Sequence, residues 1–263
     1  MSQVSELLNR SLQLEKVRLA SIAALTDPAT IRYLEALGVG EGWRCAEVGA
    51  GTGSIARWLC GRVGESGRVL AVDINTVYLE ELEYSNLEVR CQNIVTEPLE
   101  EGSYDLVHVK ILIQHLPYRE RILQQLVAAL RPGGYLLVEE SDIRSIQTCE
   151  PPSPILTKAA AALATLFTFI GSDPGYGLKL LPAVKRTGLN ILGSDCQLSA
   201  IQCGSPEIIT LTLSLQLLST QIVSQGLMSL EEVKAALEHL RQSSDTMIYT
   251  PITVSVWGQR AQD

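Results

Sequence analysis

A glycine-rich segment, Cys45 to Ser54, has the pattern of a loop that binds a small ligand through its backbone. An apolar run leads into glycines at positions 49, 51 and 53, and a helix-forming stretch follows. Glycine lets a ligand approach the main chain closely, because no side chain stands in the way. A dinucleotide site requires G-x-G-x-x-G/A, whereas this loop reads G-x-G-x-G with serine in the last place. The spacing therefore disfavours a nicotinamide cofactor.

Two carboxylates flank this loop where a nucleoside ligand would need them. Glu47 ends the first apolar run, and its negative charge would repel a pyrophosphate but suits the amino group or sulfonium of S-adenosylmethionine. Asp73 ends the next apolar run, 22 residues beyond Gly51, where adenosine-binding α/β folds hold ribose hydroxyls. An acid after a strand is equally often a helix N-cap. Together with the glycine loop, however, the two acids favour S-adenosylmethionine.

The loop resembles the first motif of the class I S-adenosylmethionine-dependent methyltransferases, E/D-x-G-x-G-x-G, with Glu47 as its acid. The similarity is to a bacterial small-molecule subgroup, covers most of residues 15–142 and returns at 254–258. The other matching segments are Asp27-Pro28-Ala-Thr, Trp43 to Trp58, Asp105-Leu-Val-His108, Gln114-His-Leu-Pro117 and Arg131-Pro-Gly-Gly134. The resemblance implies an α/β fold with a Rossmann-like, mostly parallel sheet of seven strands in the order 3-2-1-4-5-7-6. The seventh strand would be antiparallel, helices would cover both faces, and an α-helical cap would be added.

The resemblance also implies a role for each residue of the cofactor site. Glu47 and the glycines would line the methionine part, Asp73 would hold the ribose, and Lys110 would present its backbone. Asn93 falls where relatives have an aspartate that accepts from the adenine amine. An amide is a weaker acceptor than a carboxylate, and asparagine is also a common turn residue. The full set of implied cofactor contacts is Glu47, Gly49, Ala50, Gly51, Gly53, Asp73, Ile74, Asn93, Ile94 and Lys110.

Two residues are candidates for acting on the methyl acceptor. His115 lies beyond the fourth predicted strand, and an imidazole there could remove a proton from a hydroxyl or amine. Its His-Leu-Pro segment could equally pack beside the sheet. Tyr176, in the glycine-rich hinge 171–177, could close over a substrate or anchor the loop. Because a sulfonium already carries a good leaving group, aligning the acceptor in a dry pocket is the main task, and a base is optional.

The composition disfavours several other ligands and partners. The formal net charge of −8 provides no basic surface for a nucleic acid, which requires clustered positive charge. The six cysteines include no C-x-x-C pair and no histidine at metal-ligand spacing, so we predict buried free thiols and no metal site. The first residues lack a secretory signal, and no run of 18 apolar residues could cross a membrane. We therefore expect a cytoplasmic protein with no membrane partner.

The apolar pattern predicts repeated βα units in the first half of the chain. Helical periodicity over residues 5–37, interrupted at Asp27-Pro28, predicts two helices. Short apolar runs predict strands at 44–49, 68–73, 87–92, 104–109 and 134–140. Because parallel strands need crossovers, helices are expected at 56–62, 76–82 and 119–130, followed by a turn at 131–134.

Longer apolar helices are predicted after Asp142. The predicted helices are 154–170, 179–188, 207–224 and 230–241, and the predicted strands are 189–201 and 248–257. Thr210–Leu215 alternates like a strand, but the apolar stripe over 208–222 and its length favour a helix. Ser229 and Glu232 form the capping-box pattern that begins the last helix.

We interpret the chain as one domain with insertions. Residues 1–142 would hold the N-terminal helices and the cofactor-binding core, and residues 143–188 a helical cap or lid. Residues 189–263 would supply the last two strands, with a helical insertion at 202–247. The aliphatic side chains of the cap suit a largely apolar acceptor, although they could equally form only the core of the cap.

The sequence therefore predicts a methyltransferase of class EC 2.1.1 that uses S-adenosylmethionine. It would methylate oxygen or nitrogen of a small and largely apolar molecule, as in secondary metabolism, with carbon as the less favoured interpretation of the accepting atom. A catalytically silent S-adenosylmethionine-binding protein and a protein methyltransferase fit the same motifs. A nucleic-acid enzyme fits less well, because the place of its [N/D]-P-P-[Y/F] motif reads Lys110-Ile-Leu-Ile. The acceptor and the choice between monomer and homodimer stay open.

Overall fold

The computed structural model of the chain describes residues 3–242 and 245–262. Residues 1, 2 and 263, at the ends of the predicted domain, and 243–244, in the predicted insertion, lie outside the described residues. The chain forms two compact units. Unit 1 comprises Met1–Leu25, Asp142–Pro174 and Gln197–Ile252, and unit 2 comprises Thr26–Ser141, Gly175–Cys196 and Thr253–Asp263. The predicted boundaries at 142 and 188 stay a prediction.

The helices and strands have the following bounds. The helices are α1 (Gln3–Ala36), α2 (Ser54–Val63), α3 (Arg119–Ala129), α4 (Pro154–Phe169), α5 (Leu180–Lys185), α6 (Ile209–Leu217), α7 (Ser219–Ser224) and α8 (Leu230–Arg241). The strands are β1 (Arg44–Val48), β2 (Arg68–Asp73), β3 (Leu87–Cys91), β4 (Tyr104–Lys110), β5 (Leu130–Asp142), β6 (Cys149–Glu150), β7 (Asn190–Gln197), β8 (Ala200–Gln202), β9 (Met247–Tyr249) and β10 (Ile252–Gln259). Short 3₁₀ turns occur at Ile113–His115, Ile143–Gln147, Gly177–Lys179 and Pro206–Ile208.

The main sheet has seven strands in the order β3-β2-β1-β4-β5-β10-β7. With β7 and β10 counted as its sixth and seventh strands, this is the predicted order 3-2-1-4-5-7-6, which is confirmed. The pairs β1-β2, β1-β4, β2-β3 and β4-β5 are parallel. The central strands β1 and β4 are almost continuously buried, as expected of parallel strands covered on both faces.

The crossover between β2 and β3 contains no helix, so the helix predicted at 76–82 is wrong. The segment forms consecutive turns, in which the amides of Leu79 and Leu82 donate to the carbonyls of Thr76 and Leu79. The side chain of Asn75 accepts from the amide of Val77 at 3.2 Å. An asparagine that bonds to the nearby backbone competes with helix formation, and a segment this short cannot compensate through packing.

Helix α1 runs through Pro28, so the prediction of two helices broken at Asp27-Pro28 is wrong. A proline inside a helix costs about 3 kcal/mol because it removes a hydrogen bond and clashes with the preceding turn. The helical residues that follow Pro28 are packed in the core: Ala29, Thr30 and Leu34 are buried. Packing in unit 2 offsets the local cost.

Strand β5 begins four residues before the predicted start at 134, and the turn predicted at 131–134 is wrong. These residues form an irregularity within the strand, where the register with β4 shifts between Tyr104 and Leu106. Gly133 has a φ of 77°, and a Cβ on Gly134 would lie 2.7 Å from the carbonyl oxygen of Tyr104. The glycines therefore let the chain bulge and continue as a strand.

The two last predicted strands are each divided. Residues 189–201 form β7 and β8, and 248–257 form β9 and β10; β6, β9 and β8 build a separate three-stranded sheet. Pro251 separates β9 from β10 because it has no amide hydrogen to donate. The helix favoured over a strand at 210–215 is confirmed as α6, but the predicted helix 207–224 is divided at Leu218. The capping box of α8 is confirmed.

Unit 1 has its own apolar core, formed between α4, α6, α7 and α8. Its buried residues include Leu163, Leu215, Ile222 and Leu240. None of the helices described for this chain is long and apolar enough to cross a membrane.

All six cysteines are free, as predicted, but the expectation that they are buried is wrong for Cys91 and Cys196. Cys91 belongs to β3 and Cys196 to β7, the two outermost strands of the main sheet. An edge strand has a neighbour on one side only, and most residues of β3 and β7 are exposed.

Candidate functional site

The glycine loop between β1 and α2 is built from three residues in the left-handed backbone region. The φ angles of Gly49, Gly51 and Gly53 are 74°, 55° and 75°. A Cβ on Gly49 would lie 2.9 Å from Leu112 Cδ2, and one on Gly53 only 2.4 Å from Leu82 Cδ1. A Cβ on Gly51 would meet nothing within 4 Å. Packing of the protein itself thus requires two of the glycines, whereas the third faces open space.

Asp73 is joined directly to this open part of the loop by a hydrogen bond. Its Oδ2 accepts from the amide of Gly51 at 2.9 Å, and its Oδ1 accepts from the amide of Asn75 at 3.0 Å. A carboxylate has about four acceptor positions, so positions remain for two ligand hydroxyls. Ile74 follows with 73% of its surface exposed, which offers an apolar surface to a planar base. These residues fit an adenosine-type cofactor.

Asn93 and Ile94 lie beyond β3 and contribute less directly. The Oδ1 of Asn93 accepts from the amide of Val95 at 3.0 Å, and its carbonyl accepts from the amides of Thr96 and Glu97. These bonds are those of a turn-forming asparagine, the second role considered for it. Ile94 is buried, so only its backbone could face a ligand.

Glu47 lies beneath the loop, with only 3% of its surface exposed. Its Oε2 is 2.5 Å from Nδ1 of His108, and Nε2 of the same imidazole is 3.2 Å from Oε1 of Glu139. Two hydroxyls complete the cluster: those of Thr30 and Ser255 donate to Glu139 at 2.5 and 2.6 Å. The carboxylate of Glu47 is therefore hydrogen-bonded to His108 in the interior of the protein. Ala50, beside the glycines, is likewise buried.

Residues 46–138 match the family model described as a methyltransferase domain. They form a methyltransferase domain. The match covers the glycine loop, Asp73 and the segment from within β1 to within β5, in the sheet order expected for the family.

Similar proteins include methyltransferases from fungi and bacteria. Methyltransferase str2 of Strobilurus tenacellus is 30% identical over 152 residues, which cover 57% of this chain and 54% of that protein. The ubiquinone/menaquinone biosynthesis C-methyltransferase UbiE of Laribacter hongkongensis is 33% identical over 113 residues, 41% of this chain and 46% of that protein. The chain thus spans about half the length of these curated relatives.

A solved structure shows the same fold. The S-adenosylmethionine-dependent methyltransferase from Aquifex aeolicus superposes with a TM-score of 0.52 at 20% identity. The superposition covers 70% of this chain and 90% of the other. At this identity, the likeness is one of fold alone.

The cluster under the loop of the methyltransferase domain holds a positive charge between two carboxylates. Burial lowers the pKa of His108, but the effect of Glu47 and Glu139, which raise it, is larger. The pKa is therefore raised overall, to about 9. Burial raises the pKa of Glu139, yet the bonds from His108 and Ser255 and the charge of Lys110 lower it overall. At neutral pH, His108 is therefore an imidazolium between the carboxylates of Glu47 and Glu139. The signal in the sequence is an ionisable residue that adjoins apolar residues within each of three strands.

Lys110 ends β4 and points its side chain towards α1. Its Nζ pairs with Asp27 and lies 3.4 Å from the hydroxyl of Thr30, so the side chain is bound within unit 2. The next residue, Ile111, has a φ of 52°. A β-branched residue in the left-handed region is strained, and such strain often occurs beside functional sites.

Glu140, at the end of β5, fixes the turn that follows β4 in the methyltransferase domain. This fully buried carboxyl accepts from the amides of Leu112, Ile113 and Gln114 at 3.1, 2.6 and 3.3 Å. Burial raises its pKa to about 8, although the three amide bonds act in the opposite direction. Sequence reasoning missed Glu140. Its only signal was the pair of acids at the end of a strong apolar strand.

The two candidates for acting on the acceptor lie in different environments. His115 is exposed on the 3₁₀ turn, with its Nε2 3.1 Å from Nε2 of Gln114. Tyr176 is buried, and its hydroxyl has no hydrogen-bond partner among the described residues. The guanidinium of Arg119 lies 5.7 Å from the centre of its ring, and burial raises the pKa of the phenol to about 12. A buried donor without a partner is available to a ligand.

The contrast between Gly51 and Gly38 provides a test of the open space in the loop. Both have positive φ and no atom within 4 Å of an added Cβ, so alanine should cost each about 1–2 kcal/mol of stability. We expect Gly51→Ala to weaken S-adenosylhomocysteine binding at least about tenfold, because its methyl group occupies ligand space. Gly38→Ala should bind normally in calorimetric titration. Equal affinities of the two variants would contradict a ligand at Gly51.

Proposed function

We propose that the chain transfers the methyl group of S-adenosylmethionine to a small, largely apolar organic molecule and releases S-adenosylhomocysteine. The accepting atom would be oxygen or nitrogen, and carbon is the less favoured alternative. The observation that carries the proposal is the open space at Gly51 beside the hydrogen-bonded carboxylate of Asp73. When bound, the cofactor supplies a methyl group on a sulfonium, which is an excellent leaving group.

The residues of this chain would bind and orient the cofactor. Asp73 would accept the two ribose hydroxyls, Ile74 would cover one face of the adenine, and the loop amides would hold the methionine part. Lys110 would contribute its backbone and Asn93 its amide oxygen. Glu47 would position the loop indirectly. Its hydrogen bond to His108 fixes the end of β1, where the loop begins. Fixed positions of this kind reduce the entropy cost of reaching the reactive geometry.

An apolar pocket within unit 1 supports the proposal of an apolar acceptor. It has a volume of about 100 Å³ and is lined mainly by hydrocarbon, including Ile146, Leu163, Phe167, Leu211 and Ile248. Binding sites for small molecules are typically apolar with few polar groups. The name of the relative UbiE specifies C-methylation in quinone biosynthesis, which supports keeping carbon as a third acceptor atom.

Filling this pocket should affect acceptor binding alone. We expect Leu211→Trp to raise KM for the acceptor about tenfold or more, in line with the effect of a mismatched apolar pocket. Affinity for S-adenosylhomocysteine should not change. Leu230→Trp is the matched control, because Leu230 lies in unit 1 but is half exposed and outside the pocket. An unchanged KM in Leu211→Trp would remove the pocket from the proposal.

His115 is proposed as a general base only for acceptors that must lose a proton. A phenol or carboxylate can bind already ionised, whereas an aliphatic alcohol or ammonium cannot. For the latter we expect His115→Ala to lower kcat about 10² to 10⁴-fold at saturating acceptor. Full turnover by the variant would show that no base acts there. Tyr176→Phe tests the second candidate in the same assay, through loss of its unpaired hydroxyl.

The experiment that tests the function is calorimetric titration with S-adenosylmethionine and S-adenosylhomocysteine, followed by an acceptor screen that detects S-adenosylhomocysteine release. Micromolar cofactor binding with turnover of a small acceptor is the expected result. Binding without turnover of small molecules or proteins would favour the silent cofactor-binding alternative, and turnover of proteins alone would favour a protein methyltransferase. No binding by the folded chain would overturn the proposal. The net charge of −8 argues against a nucleic-acid acceptor.

A further inference from the structure

A cleft at the amino-terminal edge of the main sheet in unit 2 brings three arginines together. Its volume is about 440 Å³. Arg44 and Arg68 begin β1 and β2 and are direct register partners, and Arg90 lies in β3. All three line the cleft. Like charges directly opposite each other across two strands are destabilising, so the arrangement requires a counter-charge.

The carboxylates near the cleft neutralise it incompletely. Arg44 pairs with Glu100 at 2.6 Å, and Arg90 pairs with Glu88 at 2.5 Å. Both glutamate side chains are about 60% exposed, and surface pairs of this kind contribute little to stability. Arg68 donates only to the carbonyls of residues 65 and 67, with no carboxylate partner among the described residues. One positive charge is left over.

Tyr104 is a second and independent indication of a ligand. It is fully buried, lines the same cleft, and carries a hydroxyl with no hydrogen-bond partner in the part of the chain that the structure describes. The guanidinium of Arg44 lies 4.8 Å from the centre of its ring. An unsatisfied buried hydroxyl is costly. A phenol beside arginines is a natural donor to a negatively charged oxygen.

We propose that this cleft binds a small oxyanion, as a phosphate or carboxylate group. Arg68 would be its main partner, with Arg44, Arg90 and the hydroxyl of Tyr104 as further donors. The planar guanidinium of arginine matches both groups through paired hydrogen bonds. The cleft is separate from the cofactor loop, because the two lie at opposite ends of β1, a strand of five residues and so about 16 Å long. The proposal does not depend on methyl transfer.

The test is calorimetric titration of the full chain with inorganic phosphate and, separately, with citrate. The protein is first saturated with S-adenosylhomocysteine, because an anion could also bind at the amino end of α2. We expect saturable binding that weakens with added salt and falls about tenfold or more in Arg68→Gln. Tyr104→Phe should weaken it several-fold without unfolding the chain. Arg241→Gln, an equal charge change at an exposed residue of unit 1, should bind like the wild type.

Each outcome has a definite meaning. Binding of phosphate alone would identify a phosphate site, and binding of citrate alone a carboxylate site. Absence of saturable binding by either ion would overturn the proposal. Binding that is equally strong in the wild type and Arg68→Gln would place the ion elsewhere and would also overturn it. If Tyr104→Phe does not fold, the comparison of Arg68→Gln with Arg241→Gln still decides the question, because both residues are exposed.

Discussion

Replacing Asp73 with alanine should lower the affinity for S-adenosylmethionine and S-adenosylhomocysteine at least about a hundredfold. The proposed bonds to two ribose hydroxyls are charge-assisted, and each such bond contributes about 1.5–3 kcal/mol. The variant also removes the acceptor that holds the amide of Gly51, so the loop itself would lose its position. Calorimetric titration of the purified variant measures the effect, and circular dichroism checks that it remains folded.

Two further variants separate the charge of Asp73 from its position. Asp73→Asn keeps an oxygen for the amide of Gly51 but loses the charge, so we expect an intermediate loss of about tenfold. Glu80→Ala removes an exposed acid from the turn after β2 and should leave affinity unchanged. If Asp73→Ala binds the cofactor as tightly as Glu80→Ala, the ribose does not lie at Asp73.

His108→Gln should lower the free energy of unfolding at neutral pH by about 3–5 kcal/mol. The substitution removes the imidazolium between Glu47 and Glu139 and leaves two carboxylates that are nearly inaccessible to solvent. Removing one partner of a buried ion pair has an effect of this size. Denaturant unfolding measures it, with His239→Gln as the control, because His239 belongs to α8 and its Nε2 lies 3.2 Å from the hydroxyl of Thr246, not between carboxylates.

The same cluster makes stability depend on pH. The pKa of His108 is raised from 6.5 to about 9, so its contribution is complete below pH 6.5 and is lost as pH rises to about 9. At 1.36 kcal/mol for each pKa unit, the loss is about 3 kcal/mol. Unfolding free energies of the wild type at the two ends of this range should differ in that direction, and those of His108→Gln should differ less.

Glu140 gives a second contribution of the same sign over a different range. Its pKa is raised from 4.5 to about 8, so the stability it provides is lost as pH rises from 4.5 through 8. Glu140→Gln should remove this part and leave the part due to His108. A wild type that becomes more stable between pH 6.5 and 9 would contradict the charge assigned to His108.

The sequence by itself determined the core of the fold and the main cofactor motif. The apolar residues of β1, β2 and β4 made the extent of these strands predictable from the pattern, whereas the order of the strands was implied by the family resemblance. Local spacing was also sufficient to associate Gly51 with Asp73, because consecutive parallel strands end at the same edge of a sheet. The capping box at Ser229 is equally local and was found.

Only the tertiary structure decided the features that depend on contacts between distant segments. Pro28 lies within one helix because the packing of residues beyond it offsets its local cost. The Pro-Gly-Gly segment, a typical turn sequence, lies within β5 because Gly134 packs closely against the backbone of Tyr104. The pairing of Glu47 with His108 and Glu139, the role of Glu140 in fixing a turn, and the cluster of Arg44, Arg68 and Arg90 all join residues from different strands. Sequence patterns report local backbone preference and burial, whereas hydrogen bonds and charge pairs depend on which strands become neighbours and in what register.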